Sequence, residues 1–521
     1  MPKTLDRART LLLAACGLGL ACLPARAETV LRVVPQADLR VLDPHVTAAT
    51  VTRIFGLMIY DQLYSFDEAM RPHPQMVGDT RVSADKLTYE LTLRDGLKFS
   101  NGQPVTSADV IASITRAAKQ DPLLQLMMKR QSRFEAVDAR TVRLVFPKPF
   151  AYVESALAAP GAMIMRAEDL AAAGDKPATT TIGSGPFRFV ASGYTPGARI
   201  TFDRNPDYVP RAEPANGNAG GKRVLVDKVE WVIIPDLQTR VSALIKGEVD
   251  LLDQLPHDGL QSLKGRADIV VEQSSPLGNM AFMRVNTLQP PFNDVRARQA
   301  LALLINQKDY LAAAFTTDST WWQECFSFFG CATPNGTEAG SEPYRKPDPA
   351  RAKQLLAEAG YKGEKIVVLS SQEIPLIGAL AEVTGDALRS IGANVDMQTS
   401  DWGTLVVRRA RKDAPDKGGW SIFQSGIDVA VLAEPATNIL VDARCDGNNY
   451  VGWPCSDKLE AMRTDVIDTP DAAKYEAYSR ALWAELPTLL LGQYRQPIAY
   501  RKALSGLQHG LTLSFWNVSK K

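Results

Sequence analysis

The sequence predicts an α/β chain with strands and helices mixed in the α+β manner, and three observations carry that prediction. Residues 87–94, LTYELTLR, alternate apolar and polar without a break, the period of a half-buried strand. Residues 348–360 open with Asp-Pro, set Leu355, Leu356 and Ala359 on one face and stop at Gly360, the pattern of a capped amphipathic helix. Segments of both kinds recur along the chain instead of separating into blocks.

The elements follow in order. After the strand at 87–94, Asn101-Gly102 marks a turn. Thr106-Ser107-Ala108-Asp109 resembles a capping box with Asp in place of Glu, and opens an apolar stripe at Val110, Ile114 and Ala117. Val142, Leu144 and Phe146 repeat the alternating pattern. Residues 210–222, rich in Gly, Asn and Ala, read as a surface loop. Residues 229–234 are mostly apolar and β-branched, a more buried strand. Asp294 begins a helix with Ala297, Ala300, Leu301, Leu304 and Ile305 on one face. Asp348-Pro349 begins the next, and no internal repeat is found.

The chain has 521 residues, 45% hydrophobic and 22% charged, which is the composition of a globular protein of several units. Lys+Arg number 59 and Asp+Glu 58. That balance argues against a nucleic-acid or membrane-surface binder, which needs a basic excess or stripe. The four histidines, at 45, 73, 257 and 509, are scattered, so neither a His-rich metal centre nor a cofactor is expected.

Residues 1–27 have the layout of a cleaved signal peptide. Lys3, Arg7 and Arg9 precede an apolar run of 13 residues at 11–23, and Ala25-Arg26-Ala27 places small residues where a signal peptidase reads. The run is short of the roughly 20 residues a transmembrane helix needs. A lipobox-like Leu13-Ala14-Ala15-Cys16 follows too short an apolar stretch to favour a lipid anchor at Cys16. Cleavage before Glu28 leaves 55 basic and 57 acidic residues, a net charge of −2. It also leaves four cysteines, Cys325, Cys331, Cys445 and Cys455. An even count in an oxidising compartment favours disulfides. Three pairings are open, of which Cys325–Cys331 with Cys445–Cys455 is the simplest; no C-x2-C spacing supports a zinc site.

Motifs of catalysis are missing. There is no G-x-S-x-G and no H-E-x-x-H, and Gly221-Lys222 is followed by Arg223, so no P-loop forms there. A secreted hydrolase built on paired carboxylates stays open, because any two acids can become neighbours in a fold.

Seven segments in order resemble the family 5 extracellular solute-binding proteins of ABC importers, the oligopeptide-, dipeptide- and nickel-binding type. They are LDPH at 42–45 with residues 57–63; LTYELTLRDGLKFSNGQPVTSADV at 87–110; GSGPF at 183–187; RNPDY at 204–208; ALIKGEVD at 243–250; VNTLQPPFNDVRARQAL at 285–301; and DPARAKQLLAEAGY at 348–361. The resemblance implies a two-lobed periplasmic-binding-protein fold with an extra subdomain inserted in the first lobe. Carried over, the first lobe takes residues 28–60, 183–286 and 494–521, the inserted subdomain 61–182 and the second lobe 287–493, with crossings near Pro290 and Gln493. It also implies a monomer that captures a peptide in the periplasm and hands it, unchanged, to an inner-membrane permease and its ATPase subunits. A nickel chelate or an oligosaccharide is the alternative solute.

The resemblance also points to ligand residues. Asp428, in Gly426-Ile427-Asp428, stands where relatives pair an Asp with a peptide's α-amino group; the alternative is an ordinary helix cap. Trp321, Trp322, Trp402 and Trp420 offer aromatic faces to a cleft, or else serve as lobe core. Arg409, with Arg408, follows Asp401-Trp402 at helical spacing and is able to fork onto a carboxylate, or else belongs to a solvated basic face with Arg411 and Lys412. Val46 and Thr47 lie in a segment that lines the cleft in relatives and are expected to offer strand-edge backbone groups to an extended ligand.

Overall fold

The computed structural model describes residues 28–521 apart from 48, 256, 276, 372, 373 and 448. The signal segment and Cys16 lie outside the described residues. Three main sheets organise the chain; the seven-stranded one packs a core on each face, and each of the others has one.

The first sheet has seven strands in the order Phe187–Phe189, Arg199–Arg204, Lys228–Val232, Val30–Val34, Leu251–Leu252, Pro497–Arg501 and Ile269–Gln273. Val30–Val34 runs parallel to both of its neighbours. One of these neighbours, Lys228–Val232, overlaps the buried strand expected at 229–234, and Val229 and Trp231 are fully buried. The six-stranded sheet follows the order Trp322–Gln323, Leu489–Tyr494, Asn279–Val285, Ile422–Asp428, Ile366–Ser371 and Val395–Ser400. A four-stranded antiparallel sheet, Val77–Val82, Thr88–Leu93, Thr141–Val145 and Arg133–Ala136, forms the inserted subdomain with the helices Ser107–Ala117 and Pro122–Arg130.

Local chemistry explains these elements. In Thr88–Leu93 the alternation sends Leu91 and Leu93 into the subdomain core beside Val142, Leu144 and Phe146. Helix Ser107–Ala117 starts where the Thr106 backbone N–H and hydroxyl both donate to Asp109 Oδ2, at 2.8 and 2.7 Å. Val110, Ile114 and Ala117 are buried. Asp348 caps Pro349–Glu358 by accepting from the Arg351 N–H at 2.9 Å. The helix from Asp294 ends at Ala302, so Leu304 and Ile305 are buried from the turn after it.

The chain leaves and re-enters the first lobe side by side. Gly183-Ser184-Gly185 runs against the end of helix Thr50–Ile59, where the Gly185 N–H donates to the Ile59 carbonyl at 2.9 Å. A Cβ on Gly183 would collide with that same carbonyl oxygen, and one on Gly185 would lie 2.7 Å from the Ile59 carbonyl carbon. Glycine at both positions therefore permits the close crossing.

The crossings between the lobes differ from those expected. Asn279–Val285, placed by sequence with the first lobe, pairs antiparallel with Ile422–Asp428 on one side and Leu489–Tyr494 on the other. Its residues from Met280 to Val285 are all buried, so it is a central strand of the second lobe. The chain therefore passes from Ile269–Gln273 of the seven-stranded sheet to Asn279–Val285 of the six-stranded one and returns from Leu489–Tyr494 to Pro497–Arg501, and the Ser274 N–H donates to the Gln496 carbonyl at 2.9 Å. Pro290 lies within the second lobe.

Both local cysteine pairs are bonded, Cys325–Cys331 and Cys445–Cys455. Among the described residues no helix is long and apolar enough to cross a membrane.

Candidate functional site

In open sheets with parallel strands, ligands bind beyond the carboxyl ends of those strands. In the first lobe this end is marked by Asp253, the residue after Leu251–Leu252. In the second lobe it is marked by Asp401, after Val395–Ser400, and by Asp428, the last residue of Ile422–Asp428.

Asp428 is a helix cap at the carboxyl end of its strand. Its Oδ1 accepts the Ala430 N–H at 2.9 Å, at the start of the short helix Val429–Leu432. Burial pushes its carboxyl up to about 6, against the opposing pull of that bond and of Arg53. Asp253 is likewise pushed up to about 6 by burial, with the Gln36 N–H donating to its Oδ2 at 3.2 Å.

Arg53 is the cation of this region. It projects from helix Thr50–Ile59, most of whose side chains are buried apolar groups. Burial disfavours its charge, while Asp121 and Asp428 favour it. Neither carboxylate is close enough for an ion pair, and Arg53 makes none with any described residue. Asp121 belongs to the inserted subdomain, where it caps Pro122–Arg130 by accepting from Leu123 and Leu124 at 3.0 and 3.2 Å. Burial raises its carboxyl as well. A first-lobe guanidinium thus stands in the field of acids from the two facing bodies.

An aromatic wall stands near Asp428. Gly426, two residues earlier, leaves the space that the Tyr494 hydroxyl occupies. Phe315 stacks on Tyr494 with centroids 4.0 Å apart. His257 of the first lobe meets Phe315 at 5.1 Å and Trp321 at 6.2 Å.

The expected site residues separate accordingly. Trp321, half-buried, joins this wall. Trp322 lies in the strand paired with Tyr494, its indole N–H donating to the Thr316 carbonyl at 2.7 Å. Trp402 opens the helix after Asp401 at the carboxyl end of its strand. Trp420 does not line a cleft: it is fully buried just before strand Ile422–Asp428, at the end opposite Asp428, packed on Phe423 and Trp453. Arg409 is half-buried: its guanidinium lies over the rings of Trp402, Phe423 and Tyr450 at 5.2, 5.3 and 5.9 Å, and its Nη1 donates to the Tyr450 hydroxyl at 3.3 Å. Val46 and Thr47 form no strand edge; they sit in the turn before helix Thr50–Ile59.

The Asp43-Pro44-His45 motif is structural. Asp43 pairs with Arg116 of the subdomain at 2.8 Å and accepts the Ala178 N–H at 2.7 Å. Burial lowers His45 to about 4, and its Nε2 lies 2.8 Å from the Met163 carbonyl. Among the described residues no group of three or more His, Cys, Asp or Glu is placed to hold a metal ion. Sequence reasoning missed Arg53, Asp121 and Asp253. A signal existed for Arg53, a lone charge inside TVTRIFGLMI.

The sequence profile of the bacterial extracellular solute-binding proteins, family 5 (middle), matches residues 71–442. A probable peptide ABC transporter periplasmic-binding protein of Sinorhizobium fredii is 40% identical over 493 residues, which cover 93% of this chain and 92% of that one. A glutathione-binding protein of Pectobacterium atrosepticum is 26% identical over 479 residues, 89% of this chain and 88% of its own. A dipeptide-binding protein of a Pseudoalteromonas species, solved with Met-Leu, aligns with a TM-score of 0.75 and 21% identity over 94% of this chain and 100% of that one, a likeness of fold.

Proposed function

Because the chain belongs to the family 5 bacterial extracellular solute-binding proteins, we propose that it captures a short peptide between its two lobes and delivers it to the permease of an ABC importer. The observation that carries this reading is the opposition of Arg53 on the first lobe to Asp428 on the second. A zwitterionic ligand suits that pair: its ammonium meets the Asp428 carboxylate and its carboxylate meets the Arg53 guanidinium. Each is a half-buried charge, and a charge withdrawn from water is tolerated when paired. A ligand that must touch both lobes to satisfy both charges binds the closed state better, and so shifts the population toward it. Trp321, Trp322 and Trp402 flank the peptide's side chains, and the backbone of Val46–Thr47 borders the cleft. The peptide and glutathione binding of the Sinorhizobium and Pectobacterium relatives supports the peptide class.

In this reading the protein works as a monomer in the periplasm, freed from residues 1–27, not lipid-anchored at Cys16, and releasing its ligand chemically unchanged. The test is a thermal-shift screen of di- to pentapeptides, with mass spectrometry of whatever co-purifies with the mature protein. Peptide hits that shrink the radius of gyration in solution scattering support the reading. No peptide shift, with a clear shift from a metal chelate or sugar, overturns the ligand class.

A further inference from the structure

The second lobe touches the inserted subdomain through a small, specific interface beyond Asp428. Ile467 of the second lobe is buried within the subdomain's apolar cluster, and Ala436 packs against it. The Tyr152 hydroxyl, from the subdomain, lies 3.5 Å from that of Tyr475 on helix Ala472–Glu485. Arg130 of the subdomain forms an ion pair with Asp468. Beside this interface lies a second acid, Glu434, whose Oε2 is buried and without a hydrogen-bond partner among the described residues.

A buried, unpartnered carboxylate is costly, whereas the neutral acid is tolerated. We propose that Glu434 makes this contact a proton-operated latch: the second lobe closes on the subdomain with Glu434 neutral, and ionisation of Glu434 opens it. The surrounding charges leave it uncompensated. From the subdomain it is faced by Tyr152, and beyond it by Arg130, already committed to Asp468. From its own lobe it is faced by Tyr475. Arg463 lies close by but donates to the carbonyls of Pro435 and Ala436 and pairs with Asp442 and Glu460. Ionised Glu434 would also oppose any ionisation of the two phenols, which burial already raises.

The direction follows from linkage. Burial pushes Glu434 up to about 8 in the closed arrangement, from an ordinary value of 4.5 that an opened, hydrated carboxyl regains. The closed contact is therefore unpenalised below pH 4.5 and weakens by about tenfold per pH unit as pH rises toward 8. The latch adds to the ligand-driven closure and does not depend on what the ligand is.

The test is ligand-free. Spin labels on Val137→Cys, exposed in the subdomain, and Glu476→Cys, exposed on the second lobe, report their separation. In the wild-type background the ratio of short to long distances should fall at least tenfold between pH 5.5 and 8.5. With Glu434→Gln, which stays neutral, the ratio should stay constant. The melting temperature of Glu434→Gln relative to wild type should also rise with pH. A ratio that does not change with pH, that changes equally in both backgrounds, or that shows no short distance at pH 5.5 overturns the proposal.

Discussion

Lys222 and Asp61 form an ion pair of 2.8 Å in which neither side chain reaches solvent. The Tyr208 hydroxyl donates to the second Asp61 oxygen at 2.9 Å, and the Lys222 ammonium lies 4.8 Å from the centre of the Trp516 ring. One buried charge pair thereby ties the start of the inserted subdomain, the loop at 210–222 and the C-terminal return.

Removing one member of such a pair strands the other. Lys222→Met should cost roughly 3–5 kcal/mol of stability in urea unfolding. Adding Asp61→Leu should recover part of that loss, since an apolar pair carries no stranded charge. A Lys222→Met protein as stable as wild type would show that the pair contributes little.

Asp428 is tested best by Asp428→Asn, which keeps an oxygen for the Ala430 N–H and removes the charge. Affinity for a peptide with a free amino group should fall by roughly 2–5 kcal/mol, with little change in fold stability. The pH profile adds a second check. Binding an ammonium needs the ionised carboxyl, and burial holds that carboxyl near 6. In a Glu434→Gln background, which removes the opposing trend, affinity should drop about tenfold per pH unit below that value. A profile flat from pH 4.5 to 7.5 would assign Asp428 to capping alone.

Arg53 should be coupled to the ligand's carboxylate. Amidating a bound peptide's C-terminus should weaken binding to the wild type, by about 2–5 kcal/mol if the charge pair is desolvated. The same amidation should have little effect on Arg53→Leu. Calorimetry on this two-by-two set measures the coupling directly, and equal losses in both proteins would place the carboxylate elsewhere.

The Cys445–Cys455 bridge closes a short loop in which Asn449 donates to the Pro454 carbonyl at 2.7 Å. Replacing both cysteines by serine should cost about 2–3 kcal/mol on the loop-entropy argument for a ring of this size. The loss should appear in unfolding of the second lobe without altering the peptides recognised. Unchanged stability in denaturant would mean that the hydrogen bonds alone hold the loop.

What the sequence determined by itself was local. The strand at 88–93, the caps at Thr106–Asp109 and Asp348, and the short-range cysteine pairs all follow from contacts within a few residues. Periodicity and capping chemistry report such contacts directly. The ordered motifs led from there to the family and its two lobes, and singled out Asp428 as a candidate ligand residue. Tertiary structure decided which face of each element meets the ligand. Trp420 and Trp321 look alike in sequence, yet Trp420 is fully buried in the second lobe's core and Trp321 meets His257 across the lobes. Asn279–Val285 moved to the second lobe because its partners lie some 140 and 210 residues away in the chain. Arg53, Asp121 and Asp428 became a charge pattern only when the first lobe, the subdomain and the second lobe packed together. Their burial and electrostatic fields are properties of that packing, which no stretch of sequence carries alone.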